Sequence, residues 1–234
     1  MLKLISHSWT DFESYIYDLI SSTSTVKVLE IGAGASPFLT DRDVTINNIE
    51  YYISDIDDEL LGRASVSNAI AIIGDLTDKP FNQKFDLIFS KMVLEHLPSP
   101  MAFHKNILSM VTEQTIVCHF FATKYGVPSL LNMMLPDKVS DAIVYKLQKR
   151  DQEMEGKFKA YYRSCWGPTH KSQEYFKNLG FNIVSYAGYL GSGYLSRFPF
   201  WGRFEKLYSK ALLKFNLPIL TSNAILILRK QTYD

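Results

Sequence analysis

The sequence predicts an α/β fold, a mostly parallel sheet with helices on both of its faces. Three observations carry that reading. Short apolar runs of strand length alternate with helical periodicity over the first half of the chain. Acidic residues stand just beyond the ends of several of those runs. The 234 residues are 47% hydrophobic and 21% charged, enough apolar content to bury one large core without cross-links.

The elements follow in order. Thr10 and Glu13 have capping-box spacing, and Phe12, Tyr15, Ile16, Leu19 and Ile20 recur at the period of one helix face. Val26 to Ile31 reads as a buried strand that runs into Gly32-Ala33-Gly34. Ser36 and Pro37 are a suitable N-cap and first residue for a helix after that turn. Further strands are predicted at 51–54, 69–74, 85–90 and 115–120, with helices at about 58–67 and 99–112, the latter capped by Ser99 and opened by Pro100. Residues 122–168 form an aromatic, partly helical insert, expected to cover the substrate. A helix at 170–179 stops at Gly180, and 183–186 and 224–228 supply two last strands. The whole is expected to be a single domain spanning 1–234.

Charge and cysteine usage exclude several classes. The net charge is +1, with 18 basic and 22 acidic residues up to position 196 and 7 basic and 2 acidic ones after it. There is no broad basic surplus of the kind nucleic acids require. Cys118 and Cys165 cannot build a disulfide scaffold and have no metal-ligand spacing, so no metal is expected. No apolar run is long enough to span a membrane, and the opening residues are too soon interrupted for a signal peptide, so the expected compartment is the cytosol.

The chemistry is concentrated at strand ends. Glycines after a buried strand let the backbone approach a ligand closely. The third glycine of the dinucleotide fingerprint is replaced by Pro37, and Glu30 lies two residues before Gly32, where a carboxylate repels phosphate and accepts an ammonium group. Asp55, after the second strand, suits a ribose, and Ile56 offers an adenine face an apolar edge. Asp75 and the Leu76 backbone suit the adenine edge. Ammonium, ribose and adenine in a row, without phosphate, describe one ligand.

These residues carry a resemblance. Glu30-Ile31-Gly32-Ala33-Gly34, Ser54-Asp55-Ile56-Asp57, Gly74-Asp75-Leu76, and Phe85 to Ser90 through Leu94-Glu95-His96-Leu97 resemble the four successive motifs of class I S-adenosylmethionine-dependent methyltransferases. The resemblance implies a Rossmann-like seven-stranded sheet whose last strand is antiparallel, and S-adenosylmethionine as cofactor. It places Gly32 and Gly34, in the turn with Ala33, at the methionine end, Asp55 at the ribose, Asp75 and Leu76 at the adenine, and Ser90 in the loop beside the sulfonium. Glu95-His96 is similar to O-methyltransferases of small molecules and lipids, including ubiquinone-pathway enzymes. Asn132 to Pro136, Gly156 to Tyr162 and Cys165 to Pro168 resemble methyltransferases of bacterial surface-polysaccharide clusters.

Transfer of a methyl group to a hydroxyl gains from a base that titrates near neutrality, which makes His96 the candidate base and His119 its rival. Tyr161, Tyr162, Arg163 and Trp166 are candidates for the acceptor pocket, since aromatic faces stack on sugars and a guanidinium holds phosphate or carboxylate. Two alternatives stay open here: an NAD(P)-dependent oxidoreductase, and a methyltransferase-like subunit without activity. Finally, Trp201, Phe204, Tyr208, Ala211, Leu212 and Phe215 share one helical face, with Arg203, Lys206, Lys210 and Lys214 on another. Either the apolar face packs on the sheet, or residues 198–215 meet an anionic membrane or a lipid-linked acceptor.

Overall fold

The computed structural model describes residues 1–22, 27–134, 158–191 and 199–232. Eight strands form one sheet: β1 (Leu2–Leu4), β2 (Lys27–Ile31), β3 (Glu50–Asp55), β4 (Ala69–Ile73), β5 (Phe85–Lys91), β6 (Val111–Ala122), β7 (Phe181–Leu190) and β8 (Asn223–Lys230). Their order is β1-β7-β8-β6-β5-β2-β3-β4. Every pairing is parallel except those of β8 with β6 and β7. The late antiparallel strand is thus as expected, and the expected count of seven is corrected to eight. The addition, β1, is three residues long and carries no readable period; it exists through its pairing with β7 and the terminal ammonium's hydrogen bond to the Tyr186 carbonyl, 2.9 Å.

The helices are α1 (Ser8–Ser22), α2 (Asp41–Asn47), α3 (Asp58–Leu61), α4 (Pro100–Met110), α5 (Val127–Met134), α6 (His170–Asn178) and α7 (Pro199–Lys214). On one face of the sheet α1 buries Phe12, Ile16 and Ile20 with Leu39, Val44 and Leu61. On the other α4 and α6 bury Phe103, Ile107, Met110 and Phe176. Both faces are covered, as a parallel sheet requires.

Local chemistry moves several boundaries. α1 begins at Ser8, two residues before the predicted cap, directly after the 3-10 turn at Ile5–His7, and Glu13 accepts from the Trp9 indole. No helix starts at Ser36. The Phe38 amide donates to Glu30 Oε2 at 2.8 Å and the Leu39 amide to the Tyr51 hydroxyl at 3.3 Å, so this stretch is tied to the strands. The helix waits for Thr40, which forms a capping box with Asp43. α3 ends at Leu61 rather than 67, with Gly62 after it, while Asp57 caps its Leu60 amide at 3.0 Å. Pro100 opens α4 as predicted, but Ser99 makes no side-chain cap bond. α6 is boxed by Thr169 and Ser172, and Gly180 follows at φ +93° in the expected left-handed conformation.

The largest correction concerns α7. Of the apolar face predicted for it, Leu212 is buried and Tyr208 half-buried, whereas Ala211 and Phe215 are exposed. The buried line is instead Gly202, Glu205, Ser209 and Leu212. Val26, most of the insert (135–157, including Leu135, Pro136, Gly156 and Lys157) and Phe198 lie outside the described residues.

β2 is flanked by β3 on one side and β5 on the other, so the chain reverses its direction of travel across the sheet there. In such sheets ligands bind in the crevice beyond the carboxyl ends of the strands at the reversal.

Candidate functional site

That crevice holds a cavity of about 330 Å³. Its floor comes from the ends of β2, β3 and β4 and the turns after them: Ile31, Gly32, Ser54, Asp55, Ile56, Gly74, Asp75 and Leu76. Its walls are the 92–98 segment after β5, Phe103 of α4, and Phe158, Lys159 and Tyr161 from the end of the insert.

The glycine turn is held rigidly from within. Gly32 (φ +73°) and Gly34 (φ +52°) are left-handed, a conformation that strains any side-chain-bearing residue. The amides of Gly32 and Ala33 donate to the Ser54 carbonyl at 2.7 and 3.1 Å, and that of Gly34 donates to Asp55 Oδ2 at 2.9 Å. All three amides that could face an anion are therefore engaged with β3. No helix N-terminus stands behind the turn, since α2 begins only at Asp41. A pyrophosphate would find neither the donors nor the dipole it needs, which argues against the nicotinamide-cofactor alternative.

Two carboxylates face the cavity. Asp55 accepts from Gly34 and, through Oδ1, from the Asp57 amide at 3.1 Å, which fixes its plane while leaving lone pairs for a diol. Asp75 Oδ1 accepts from the Thr77 amide at 2.7 Å. Asn106, on α4, donates to the Leu76 carbonyl at 2.8 Å and so fixes the turn that presents Asp75 and Leu76.

Glu30 is fully buried and does not line the cavity. Its Oε2 accepts from the Phe38 amide and the Tyr51 hydroxyl, and burial holds its carboxyl above the usual range. Ala33 and Gly34 likewise lie behind the lining, as does Ser90, whose buried hydroxyl is 2.7 Å from His119 Nδ1. His119 is fully buried, and burial with the neighbouring His104 keeps its imidazole neutral. Lys91, after Ser90, extends over the rings of Trp9 and Phe38 at 5.4 and 6.0 Å.

His96 does line the cavity. Its Nδ1 is 3.1 Å from the Lys159 carbonyl, a bond in which the nitrogen donates, so Nε2 is the basic atom of the neutral ring. Around it the 94–98 segment is stitched to the end of the insert. The Glu95 carbonyl accepts from the Tyr161 and Tyr162 amides at 2.7 and 3.0 Å, and Arg163 donates to the Pro98 carbonyl at 2.6 Å. Tyr161 faces the cavity with the Arg163 guanidinium over its ring. Tyr162 packs in the core, and Trp166 stacks edge-on with Tyr175; neither lines the cavity.

The structure also brings in residues that the sequence reading passed over. Phe103 projects from the inner face of α4, three positions after Pro100, where helical period alone could have found it. Met92 adopts φ +56°, which no residue pattern announces. Glu95, named from the sequence only as the neighbour of His96, is fully buried beside the cavity wall, with Oε1 3.4 Å from the Ala122 amide; burial pushes its carboxyl up to about 7.

Residues 29–118 match the family model described as a methyltransferase domain. No curated protein matches the sequence. Solved structures similar to this one include a TehB-like methyltransferase from Corynebacterium glutamicum, at 13% identity over 97% of this chain and 96% of that one, with a TM-score of 0.52. Magnesium protoporphyrin IX methyltransferase from Synechocystis is similar at 14% identity over 97% and 84% of the two chains, TM-score 0.54. Phosphoethanolamine N-methyltransferase 2 from Haemonchus contortus is similar at 14% identity over 96% of this chain and 53% of that one, TM-score 0.57. The fold is the Rossmann-like methyltransferase fold, and the match over residues 29–118 supports an enzyme of methyl transfer.

Proposed function

We propose that this S-adenosylmethionine-dependent methyltransferase methylates a hydroxyl oxygen of a sugar or lipid-linked glycan, with His96 as the base for the acceptor. The observation that carries the reading is that His96 shares one cavity with Asp55 and Asp75 on one side and with Phe158 and Tyr161 on the other. The donor set suits the cofactor: two carboxylates, an apolar edge from Ile56, and a turn without free anion-binding amides. Two solved structures of the same fold carry S-adenosylmethionine or S-adenosylhomocysteine in their descriptions.

In this reading Asp55 receives the ribose hydroxyls, and Ile56, Asp75 and Leu76 receive the adenine. Gly32 lets the backbone approach the methionine end. Glu30, Ala33 and Gly34 act one layer back, holding the turn in shape, and Ser90 and His119 brace the end of β5 behind the sulfonium. When bound, the cofactor supplies a methyl group on an electrophilic carbon. The enzyme's own work is alignment and proton removal. Phe158 and Tyr161 offer ring faces to a sugar, His96 Nε2 takes the hydroxyl proton, and Arg163 keeps Tyr161 and the 94–98 segment in register. Tyr162 and Trp166 support this cover from behind. Membrane contact through residues 198–215 would bring a cytoplasmic enzyme to a lipid-linked acceptor, in keeping with the likeness of the insert to surface-polysaccharide methyltransferases.

The test supplies methyl-labelled cofactor with a panel of sugar nucleotides and polyprenyl-linked glycans. Label should appear as a methyl ether. His96→Ala should lower turnover about 100-fold while S-adenosylhomocysteine affinity stays within a factor of two or so. Label found only on amines or carboxylates, or turnover unchanged in His96→Ala, would overturn the proposal.

A further inference from the structure

Helix α7 turns two polar side chains, Glu205 and Ser209, inward. Gly202, Glu205, Ser209 and Leu212 are buried, and a Cβ placed on Gly191, at the end of β7, would lie 3.0 Å from the Ser209 hydroxyl and 3.4 Å from Glu205. The side turned to solvent is divided lengthwise. One half carries the exposed cations Arg203, Lys206, Lys210 and Lys214. The other carries Leu207, 70% exposed, then Ala211 and Phe215, 69% exposed. The apolar strip continues past the helix into Leu217 and Ile219, 36% and 45% exposed. A helix that only covered the sheet would turn its leucines and phenylalanine inward and its glutamate outward. Here Leu212 turns inward with Gly202, Glu205 and Ser209, while Leu207 and Phe215 face outward along a single stripe.

The stripe also has a definite place. The loop that ends it leads into Asn223, which pairs with Ala122 at the carboxyl end of β6 and with Tyr189 near that of β7. The same loop meets the end of the insert, since a Cβ on Gly167 would lie 2.8 Å from the Pro218 carbonyl and 2.4 Å from the Thr221 hydroxyl. Leu217 and Ile219 therefore lie at the carboxyl-end side of the sheet, the side on which the cavity opens beyond β2 to β4.

The geometry points to an anionic bilayer as the occupant of this surface: Leu207, Phe215, Leu217 and Ile219 enter the acyl boundary while Arg203, Lys206, Lys210 and Lys214 lie along the headgroups. Four cations beside an apolar strip complement negatively charged lipid, and an interfacial helix takes this arrangement. A protein partner would not need the cations and the apolar residues sorted into two parallel bands. No helix among the described residues is long and apolar enough to span, so the contact lies in the surface plane. It deepens the acceptor reading, because the cavity edge would then face a membrane-borne substrate, but the surface stands on its own residues.

The experiment is co-sedimentation of the full chain with phosphatidylcholine vesicles and with vesicles containing phosphatidylglycerol, at low and high salt. Binding should require the anionic lipid and weaken as salt is raised. Reversing three charges (Lys206→Glu, Lys210→Glu, Lys214→Glu) should weaken it about 100-fold or more. Leu207→Ser with Phe215→Ser should weaken it at both salt levels, since burial of apolar surface is not screened. Circular dichroism and calorimetric titration with S-adenosylhomocysteine should be unchanged in all variants, so failure of this surface is separable from failure of the site. Absence of binding, equal binding to neutral vesicles, or a salt-insensitive dimer of the unmodified chain abolished by Leu207→Ser with Phe215→Ser would overturn the proposal.

Discussion

Glu95 is a buried carboxyl whose protonation should leave a measurable mark on stability. It is fully buried, reached by the Ala122 amide at 3.4 Å and by its own backbone amide, and pushed up to about 7 from an ordinary 4.5. The sign follows from proton uptake. Between 4.5 and 7 the folded chain holds a proton here that the unfolded chain has released, so stability falls as pH rises through that window. Below it the penalty is absent, and above it the penalty is complete. Taking those two values, the cost is about 1 kcal/mol at pH 5.5 and about 3 kcal/mol at pH 8. Glu95→Gln keeps an acceptor for the Ala122 amide and cannot ionise. Its stability relative to the unmodified protein should therefore grow by about 2 kcal/mol between pH 5.5 and pH 8. In a domain of this size that corresponds to a difference of about 4–8 °C in Tm. Urea and thermal melts of both proteins at the two pH values measure it, and every other titrating group cancels in the comparison. A difference that is flat with pH, or a variant less stable at pH 8 than at pH 5.5 relative to its parent, would refute the reasoning.

Gly32→Ala places a Cβ 2.3 Å from Val93 Cγ2 at a φ of +73°, so the turn must distort. It should lose about 1–3 kcal/mol of stability and bind S-adenosylhomocysteine more weakly, read by thermal melting and calorimetry. Asp55→Asn replaces one carboxylate oxygen by an amide donor opposite either the Gly34 or the Asp57 amide. Its affinity for S-adenosylhomocysteine should fall by about 1–3 kcal/mol, that is roughly 5- to 150-fold, and equal affinity would remove Asp55 from the cofactor site.

The strands and their order of appearance were legible because several carry a largely apolar run followed by a small or acidic residue: Val28 to Ile31 before Gly32, Tyr51 to Ile53 before Ser54 and Asp55, Leu87 to Phe89 before Ser90. The candidate site was legible to the same depth, since turn chemistry marks strand ends and the ends of adjacent strands converge. What stayed hidden depends on partners remote in sequence. Whether Glu30 faces ligand or scaffold is decided by Tyr51 and the Phe38 amide, 21 and 8 residues away. The start of α2 is delayed by those same contacts. β1 is readable only once β7 is in place beside it.

The α7 stripe and the glycine turn show two forms of one limit. A hydrophobic period predicts that a helix has an apolar face, and it leaves open whether that face meets the sheet. Here Glu205 and Ser209 take inner positions against Gly191 beside Leu212, and Leu207 and Phe215 face outward. Similarly, two glycines after a strand predict exposed amides, but those amides are satisfied by whatever carbonyl lies nearest. Ser54 and Asp55 take all three, which turns a motif shared with phosphate binders into a smooth, donor-poor wall. With the amides spent and two carboxylates left facing the cavity, the site selects a ligand that is cationic or neutral along its length. That selection is a property of β3 as much as of the glycines, and it would be lost if the Gly34 amide were released from Asp55.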